Sequence, residues 1–265
     1  MIGINLKGGL GNMLFQIAAG ISFSKKLKSN ITFPNLIEHL NYLNNDKCYN
    51  PMLNHSNEYL NLNLIKSLNN SSFNAENIYY YPFHFIKDLP IDNSIIDGFF
   101  QSEKYFLDCR ELIINFFNSD LEIKNYIKNK YDFIKEDVTS IHIRRGDYLN
   151  YPDIHSIKNQ DYFKKAISIL NEHCSKFIIH SDDIEWCRSI FIGDKFIFIE
   201  NEKDYIELHM MSMCKNNIIS NSSFSWWGAW INNNQDKIVI APQNWFGPQN
   251  KFIETDIIPS NWIKI

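Results

Sequence analysis

The sequence predicts an α/β protein of two halves facing across a cleft, with a parallel sheet in the second half. Three observations lead there. Through the second half, β-branched runs alternate with helix-periodic stretches. The chain opens on a strand, a glycine turn and a helix: Ile2 to Leu6, Lys7-Gly8-Gly9-Leu10-Gly11-Asn12, then Met13 to about Lys28. Charged and hydroxyl residues break out at the carboxyl ends of several predicted strands, the edge where open parallel sheets bind ligands.

At 265 residues the chain suffices for one large or two modest domains, and 45% hydrophobic with 21% charged residues is the composition of a globular core. A net charge of −4 gives no overall basic field, which argues against nucleic acid and against an anionic membrane. Any anion site must be a local cluster. Five scattered cysteines (Cys48, Cys109, Cys174, Cys187, Cys214) show no C-x-x-C spacing and read as small buried apolar residues with reduced thiols. The first residues read as a strand, with no basic-then-apolar leader. No run approaches the roughly 18 apolar residues of a membrane span. A cytoplasmic location is therefore expected, and the Asn70-Ser71-Ser72 and Asn221-Ser222-Ser223 sequons would go unused there.

In chain order, Leu14, Ile17, Ala18 and Ile21 fall at helical spacing and should face a core. Ile31-Thr32-Phe33 reads as a strand stopped by Pro34, and residues 35–75 as long polar loops with short helices. Strands are expected at Ile78 to Tyr81 and Ser94 to Phe99. A helix is expected over Gln101 to Phe117, with Tyr105, Leu112 and Phe116 on its apolar stripe, and another over Asp120 to Lys130. The halves should divide near residues 131–137, giving domains 1–135 and 136–265, with a last helix packing back on the first. In the second half, strands are predicted at 138–143, 177–180, 195–199, 217–220 and 237–241. Helices are predicted at about 160–172, 184–191, 202–214 and 224–232.

Chemistry concentrates in four stretches. In Ser140-Ile141-His142-Ile143-Arg144-Arg145-Gly146-Asp147-Tyr148, alternation along a strand puts Ser140, His142 and Arg144 on one face and Ile141, Ile143 and Arg145 on the other. Two guanidiniums at a strand end suit phosphate oxygens; paired with neighbouring carboxylates they would be merely structural. The Gly8–Asn12 turn offers backbone N–H groups to an anion. It lacks the third glycine of a dinucleotide fingerprint (Leu14 stands there) and the Lys-Ser/Thr of an ATP loop. Asp182 and Asp183 end another strand; they could bind ribose hydroxyls, guanine N–H groups or a metal, or simply cap the next helix. Asn221-Ser222-Ser223-Phe224 opens a helix in which Trp226 and Trp230 share a face; donors there suit phosphate, and capping is compatible with that. Convergence of His142, Arg144, Arg145, Asp182, Ser222 and Ser223 on one sheet edge argues for a nucleoside-diphosphate site.

Gly9-Leu10-Gly11-Asn12-x-x-Phe15-Gln16, His142-Ile143-Arg144-Arg145-Gly146-Asp147-Tyr148 and Ser220-Asn221-Ser222-Ser223-Phe224-Ser225-Trp226-Trp227-Gly228-Ala229 resemble, in order, the signature stretches of glycosyltransferase family 11, the α-1,2-fucosyltransferases. Gln101-Ser102-Glu103-Lys104-Tyr105-Phe106, Ser181-Asp182-Asp183 and Ala241-Pro242-x-Asn244-Trp245-Phe246 are similar too. The resemblance implies a GT-B architecture of two Rossmann-like domains, acceptor on the first and GDP-fucose mainly on the second. It implies inverting transfer to O2 of a terminal β-galactose without a metal or other cofactor. Met13 departs from the Gln or Asn common in the family.

On that reading Arg144 meets the GDP β-phosphate, with Arg145 in support or positioning Asp147. Asp147 is the expected base, with Glu103 and His155 as rivals. Gly11, Asn12, His142, Asp182, Asp183, Asn221, Ser222, Ser223 and Phe224 complete the donor site, and Glu103, Tyr148 and His155 the acceptor side. The expected partners are GDP-fucose and a galactoside-terminated glycan, at the inner face of a membrane or free in the cytoplasm. Two other classes fit the same residues: a non-catalytic sugar or nucleotide receptor, and a metal-dependent transferase using Asp182 and Asp183.

Overall fold

The computed structural model describes residues 1–45, 70–73, 75, 77–82, 84–118, 121–170, 176–249 and 256–265. The chain forms two compact units, Met1–Phe116 with Ile253–Pro259, and Phe117–Phe252 with Ser260–Ile265.

The first unit holds a parallel sheet of β1 (Ile2–Ile4), β2 (Ile31–Thr32), β3 (Asn77–Tyr80) and β4 (Ser94–Asp97) in the order β2-β1-β4-β3. Helix α1 (Leu10–Leu27) is buried nearly all round through its first three turns, including Leu14, Ile17 and Ala18, and Lys28 closes it in the left-handed conformation. The polar 35–75 segment begins with α2 (Leu36–Asn45); residues 46–69 lie outside the described residues. Before α2, the Asn35 amide pairs with both backbone groups of Leu6 at 2.9 Å.

The expected helix from Gln101 is regular only as α3 (Arg110–Asn118); Glu103–Tyr105 and Leu107–Cys109 are single 3-10 turns. Consecutive Tyr105 and Phe106 are both buried, which one amphipathic stripe does not allow. Tyr105 packs edge-on to Phe23 and Phe100, and its hydroxyl donates to the His84 carbonyl. In α3 the buried stripe is Ile113 and Phe117, one residue beyond that expected; Leu112 is 49% exposed.

The second unit holds β5 (Val138–Ile143), β6 (Lys176–Ser181), β7 (Phe196–Phe198), β8 (Asn216–Ile218), β9 (Val239–Ala241) and β10 (Ile263–Lys264). All are parallel, in the order β10-β9-β8-β5-β6-β7. Its helices are α4 (Leu121–Lys130), α5 (Gln160–Leu170), α6 (Ile184–Ile190), α7 (Asp204–Met213) and α8 (Ser223–Trp230). Helix α4, expected in the first half, belongs here. The buried Glu202 carboxylate before α7 accepts from the Tyr126 and Tyr131 hydroxyls at 3.1 and 2.5 Å and pairs with Lys130. At the C-terminus a strand, β10, replaces the expected last helix; Pro259 precedes it, and Gln243 N–H donates to the Ile265 carbonyl.

Every residue of central β5 is buried. Ile141 and Ile143 pack with Phe163, Ala166 and Leu170 of α5 and Cys187 of α6. Ser140 and His142 face the other way, onto buried polar partners. Asn217 Nδ2 donates to the Ser140 hydroxyl at 2.7 Å, and Asn232 Nδ2 to Asn217 Oδ1 at 2.9 Å. Trp226, Trp227 and Trp230 are fully buried; Trp226 and Trp230 stack with rings 13° apart. Cys109, Cys187 and Cys214 are buried free thiols; Cys48 and Cys174 lie outside the described residues.

Candidate functional site

The site of the second unit begins where β5 ends. Arg144 leaves the strand between two carboxylates: Nη2 lies 2.8 Å from Asp147 Oδ1 and Nη1 3.1 Å from Asp182 Oδ2. Burial opposes its charge, but Asp182 and then Asp147 outweigh that and hold the guanidinium above its ordinary pKa. Arg145 is tied elsewhere. Its Nε is 3.0 Å from Asp183 Oδ2, its guanidinium carbon 3.9 Å from the centre of the Trp186 ring, and its backbone N–H donates to Asp182 Oδ1 at 2.8 Å. The expected positioning of Asp147 by Arg145 is therefore corrected: Arg144 does it, because Arg145 points to the opposite face. Gly146 lets the Asp182 carboxylate approach closely: an added Cβ would lie 2.8 Å from Asp182 Oδ2 and push it aside.

Asp183 caps α6, its Oδ1 accepting the Trp186 N–H at 3.2 Å, so the plainer helix-cap role is real for that residue. Among the described residues no cluster of three or more His, Cys, Asp or Glu side chains could hold a metal ion.

Beside β5, β8 runs into Ser220-Asn221-Ser222. The Ser220 hydroxyl and His142 Nδ1 share a hydrogen bond of 3.1 Å, and the Phe224 ring centre is 5.5 Å from that of His142. Burial first, then His180 and Arg144, pushes His142 well below its ordinary pKa, so it is neutral at pH 7. Asn221 Nδ2 donates to the Trp245 carbonyl at 2.8 Å, while its buried Oδ1 has no partner. Ser222 is the N-cap of α8, yet its hydroxyl makes no capping bond. The α8 N-terminus, with Ser222 and Ser223, thus keeps donors for an anion.

Tyr148 and His155 form the outer wall. Their rings stack 3.8 Å apart and 6° from parallel, and the Tyr148 hydroxyl donates to the Asn221 carbonyl at 3.2 Å. Burial lowers the His155 pKa, opposed by Asp147 and reinforced by Arg144. The Tyr162 hydroxyl of α5 donates to the Ile219 carbonyl at 2.6 Å and braces the strand edge.

Gly11, Asn12 and Glu103 lie in the first unit. Gly8, at φ 75°, turns the chain, and its carbonyl meets His39 Nε2 at 2.8 Å. Gly9 caps α1 without a side chain, and Asn12 Oδ1 accepts from Gln101 Nε2 at 2.7 Å. Gln16, fully buried, accepts the Lys7 N–H at 3.0 Å and so shapes the loop. Met13 is buried, which makes its departure from the family pattern a matter of core packing. Glu103 opens the 3-10 turn capped by Ser102.

Sequence reading missed Ser220, Trp186 and the pair His180–Glu207. A signal existed for the last: His-x-Arg and His-x-Asp end neighbouring strands, and β5–β6 register sets His142 opposite His180.

The parallel α/β fold thus brings two arginines, both paired with carboxylates as in the structural alternative, and a hydroxyl-rich helix start to one strand edge, the edge where such sheets bind ligands. The chain belongs to glycosyltransferase family 11, whose model matches residues 1–265. It is 30% identical to the O-antigen biosynthesis glycosyltransferase WbnK of Escherichia coli, over 98% of this chain and 99% of that one. It is 37% identical to an alpha-1,2-colitosyltransferase of Escherichia coli, over 63% of this chain and 61% of that one. Among solved structures, the glycosyl transferase family 9 protein of Veillonella parvula matches with a TM-score of 0.52 and 11% identity, over 100% of this chain and 86% of the other, a likeness of fold alone.

Proposed function

We propose that the protein is an inverting α-1,2-fucosyltransferase of GT-B type that moves L-fucose from GDP-fucose to O2 of a terminal β-galactose without a metal. Arg144 carries the proposal: a guanidinium oriented by Asp182 and Asp147 at the carboxyl edge of β5 suits the charge that builds on the β-phosphate. The α8 N-terminus with Ser222 and Ser223 supplies further phosphate donors. The free Asn221 Oδ1 suits a donor hydroxyl or N–H rather than phosphate. His142, Phe224 and the Asp182–Asp183 edge take the nucleoside, and the Gly11–Asn12 loop of the first unit the diphosphate.

In the reaction, acceptor O2 attacks C1 of fucose from the face opposite the phosphate. The O2–C1 bond forms as the C1–O(phosphate) bond breaks, its electron pair leaving on GDP. The O2 proton passes to Asp147, with Glu103 and His155 as the alternatives. The first unit holds the acceptor and the second mainly the donor, with Tyr148 and His155 on the acceptor side. Catalysis takes place in the cytoplasm, free or at the inner face of the membrane. No helix among the described residues is long and apolar enough to cross a membrane.

Similarity to an alpha-1,2-colitosyltransferase favours one second reading, GDP-colitose as donor at the same site. The test is incubation with GDP-L-fucose or GDP-colitose, a β-galactoside and excess EDTA, with the product linkage read by NMR. An α-1,2-fucosylated galactoside supports the proposal. Colitosylation alone supports the second reading. Binding without transfer, or transfer abolished by EDTA and rescued by Mn²⁺, contradicts it.

A further inference from the structure

His142 and His180 are register partners on neighbouring parallel strands β5 and β6, so their side chains leave the same face of the sheet about 4.8 Å apart. Both are buried, His180 completely. On its far side His180 Nδ1 lies 3.1 Å from Glu207 Oε2, a carboxylate brought by α7 and only 14% exposed. On the near side His142 Nδ1 meets Ser220 Oγ at 3.1 Å. Two hydrogen-bonded pairs, Glu207–His180 and His142–Ser220, therefore lie side by side in the core, with the two imidazoles as neighbours on one sheet face and no hydrogen bond between them. Ser220 begins the Ser220–Ser222 turn, and Arg144 follows His142 by two residues.

Stability does not explain these pairs. A buried acid–imidazole pair gains little over well-packed apolar residues, and it leaves an uncompensated group when one partner is lost. His180 Nε2 is moreover buried with no hydrogen-bond partner, a net cost to the fold. Phe177 and Ile179 of the same strand face the other way, into an apolar core, so β6 itself does not demand histidine.

We propose that His180 and Glu207 are positioning residues of the donor site. Glu207 fixes the His180 ring, and His180 fixes the His142 ring against Ser220. The Arg144 strand end and the Ser220–Ser222 turn are thereby held at one spacing for the diphosphate. The proposal rests on reading this edge as the GDP-sugar site.

The test is calorimetric titration with GDP of the wild type, His180→Phe, Glu207→Leu and Glu207→Gln, with melting curves and steady-state kinetics alongside. His180→Phe and Glu207→Leu should weaken GDP binding and raise the donor KM by about tenfold. The acceptor KM should hold, and His180→Phe should melt no lower than the wild type. Glu207→Gln, which keeps a hydrogen bond to the ring, should stay within about threefold. GDP affinity unchanged in a folded His180→Phe or Glu207→Leu overturns the proposal. So does a fall in active fraction and melting temperature with an unchanged dissociation constant. A wild type that binds no GDP overturns the donor-site reading itself.

Discussion

Arg144 and Asp182 depend on a glycine between them and their neighbours. Replacing Gly146 by alanine puts a methyl 2.8 Å from Asp182 Oδ2, and Asp182 is one of the two carboxylates that orient Arg144. Displacement of a charge stabiliser by a fraction of an ångström costs rate steeply, so Gly146→Ala should lose about 10- to 100-fold in kcat. Initial rates at saturating donor, with a melting curve to establish folding, check this. Asp147, 2.8 Å from Arg144, is the acceptor base of the account. Asp147→Asn should lower kcat by about 10²- to 10⁴-fold and remove the acid limb of the pH–rate profile. A profile of unchanged shape would hand the role to Glu103 or His155.

Among the elements, α8 is densely packed: three tryptophans are buried in eight residues, and Gly228 lies against α7, where an added Cβ would sit 2.8 Å from Met211 Cβ. Trp226→Ala should destabilise the second unit by about 3–5 kcal/mol, and Gly228→Ala by about 1–3 kcal/mol through overpacking. Chemical denaturation of both variants measures it. Elements of this kind were legible from sequence. The β-branched run Val138–Ile143 forms a strand with those bounds, and alternation separated Ser140 and His142 from Ile141 and Ile143. The i, i+4 spacing paired Trp226 with Trp230. What escaped depends on contacts distant in sequence. β10 is two residues long and exists only because the edge of β9 accepts it. The partners of Arg144 and Arg145 could not be assigned before β6 brought Asp182 and Asp183 alongside. The 3-10 turns after Ser102 form because Tyr105 and Phe106 both find burial.

For the whole molecule, the Glu202 cluster decides which unit owns α4. Burial works against the Glu202 charge, but hydrogen bonds from Lys130, Tyr131 and Tyr126 prevail and hold its pKa below the ordinary value of 4.5. The sign follows from the depressed folded value. Stability from Glu202 is fully present above its unfolded pKa and is lost as pH falls through the folded one. Glu202→Gln should therefore be less stable than the wild type at neutral pH, with the gap closing below about pH 4.5. Melting curves between neutral and acid pH check the window, and a gap that widens toward acid would contradict it.

The central claim is that Arg144 stabilises the leaving phosphate of a GDP-sugar at the edge of β5. The most direct measurement is kcat for transfer from GDP-L-fucose to a β-galactoside by Arg144→Ala and Arg144→Lys, both with melting temperatures near that of the wild type. The account predicts a loss of about 10²- to 10³-fold in Arg144→Ala. Arg144→Lys should recover only part of it, since an ammonium does not reproduce the planar fork. Turnover by Arg144→Ala within a few-fold of the wild type would contradict it.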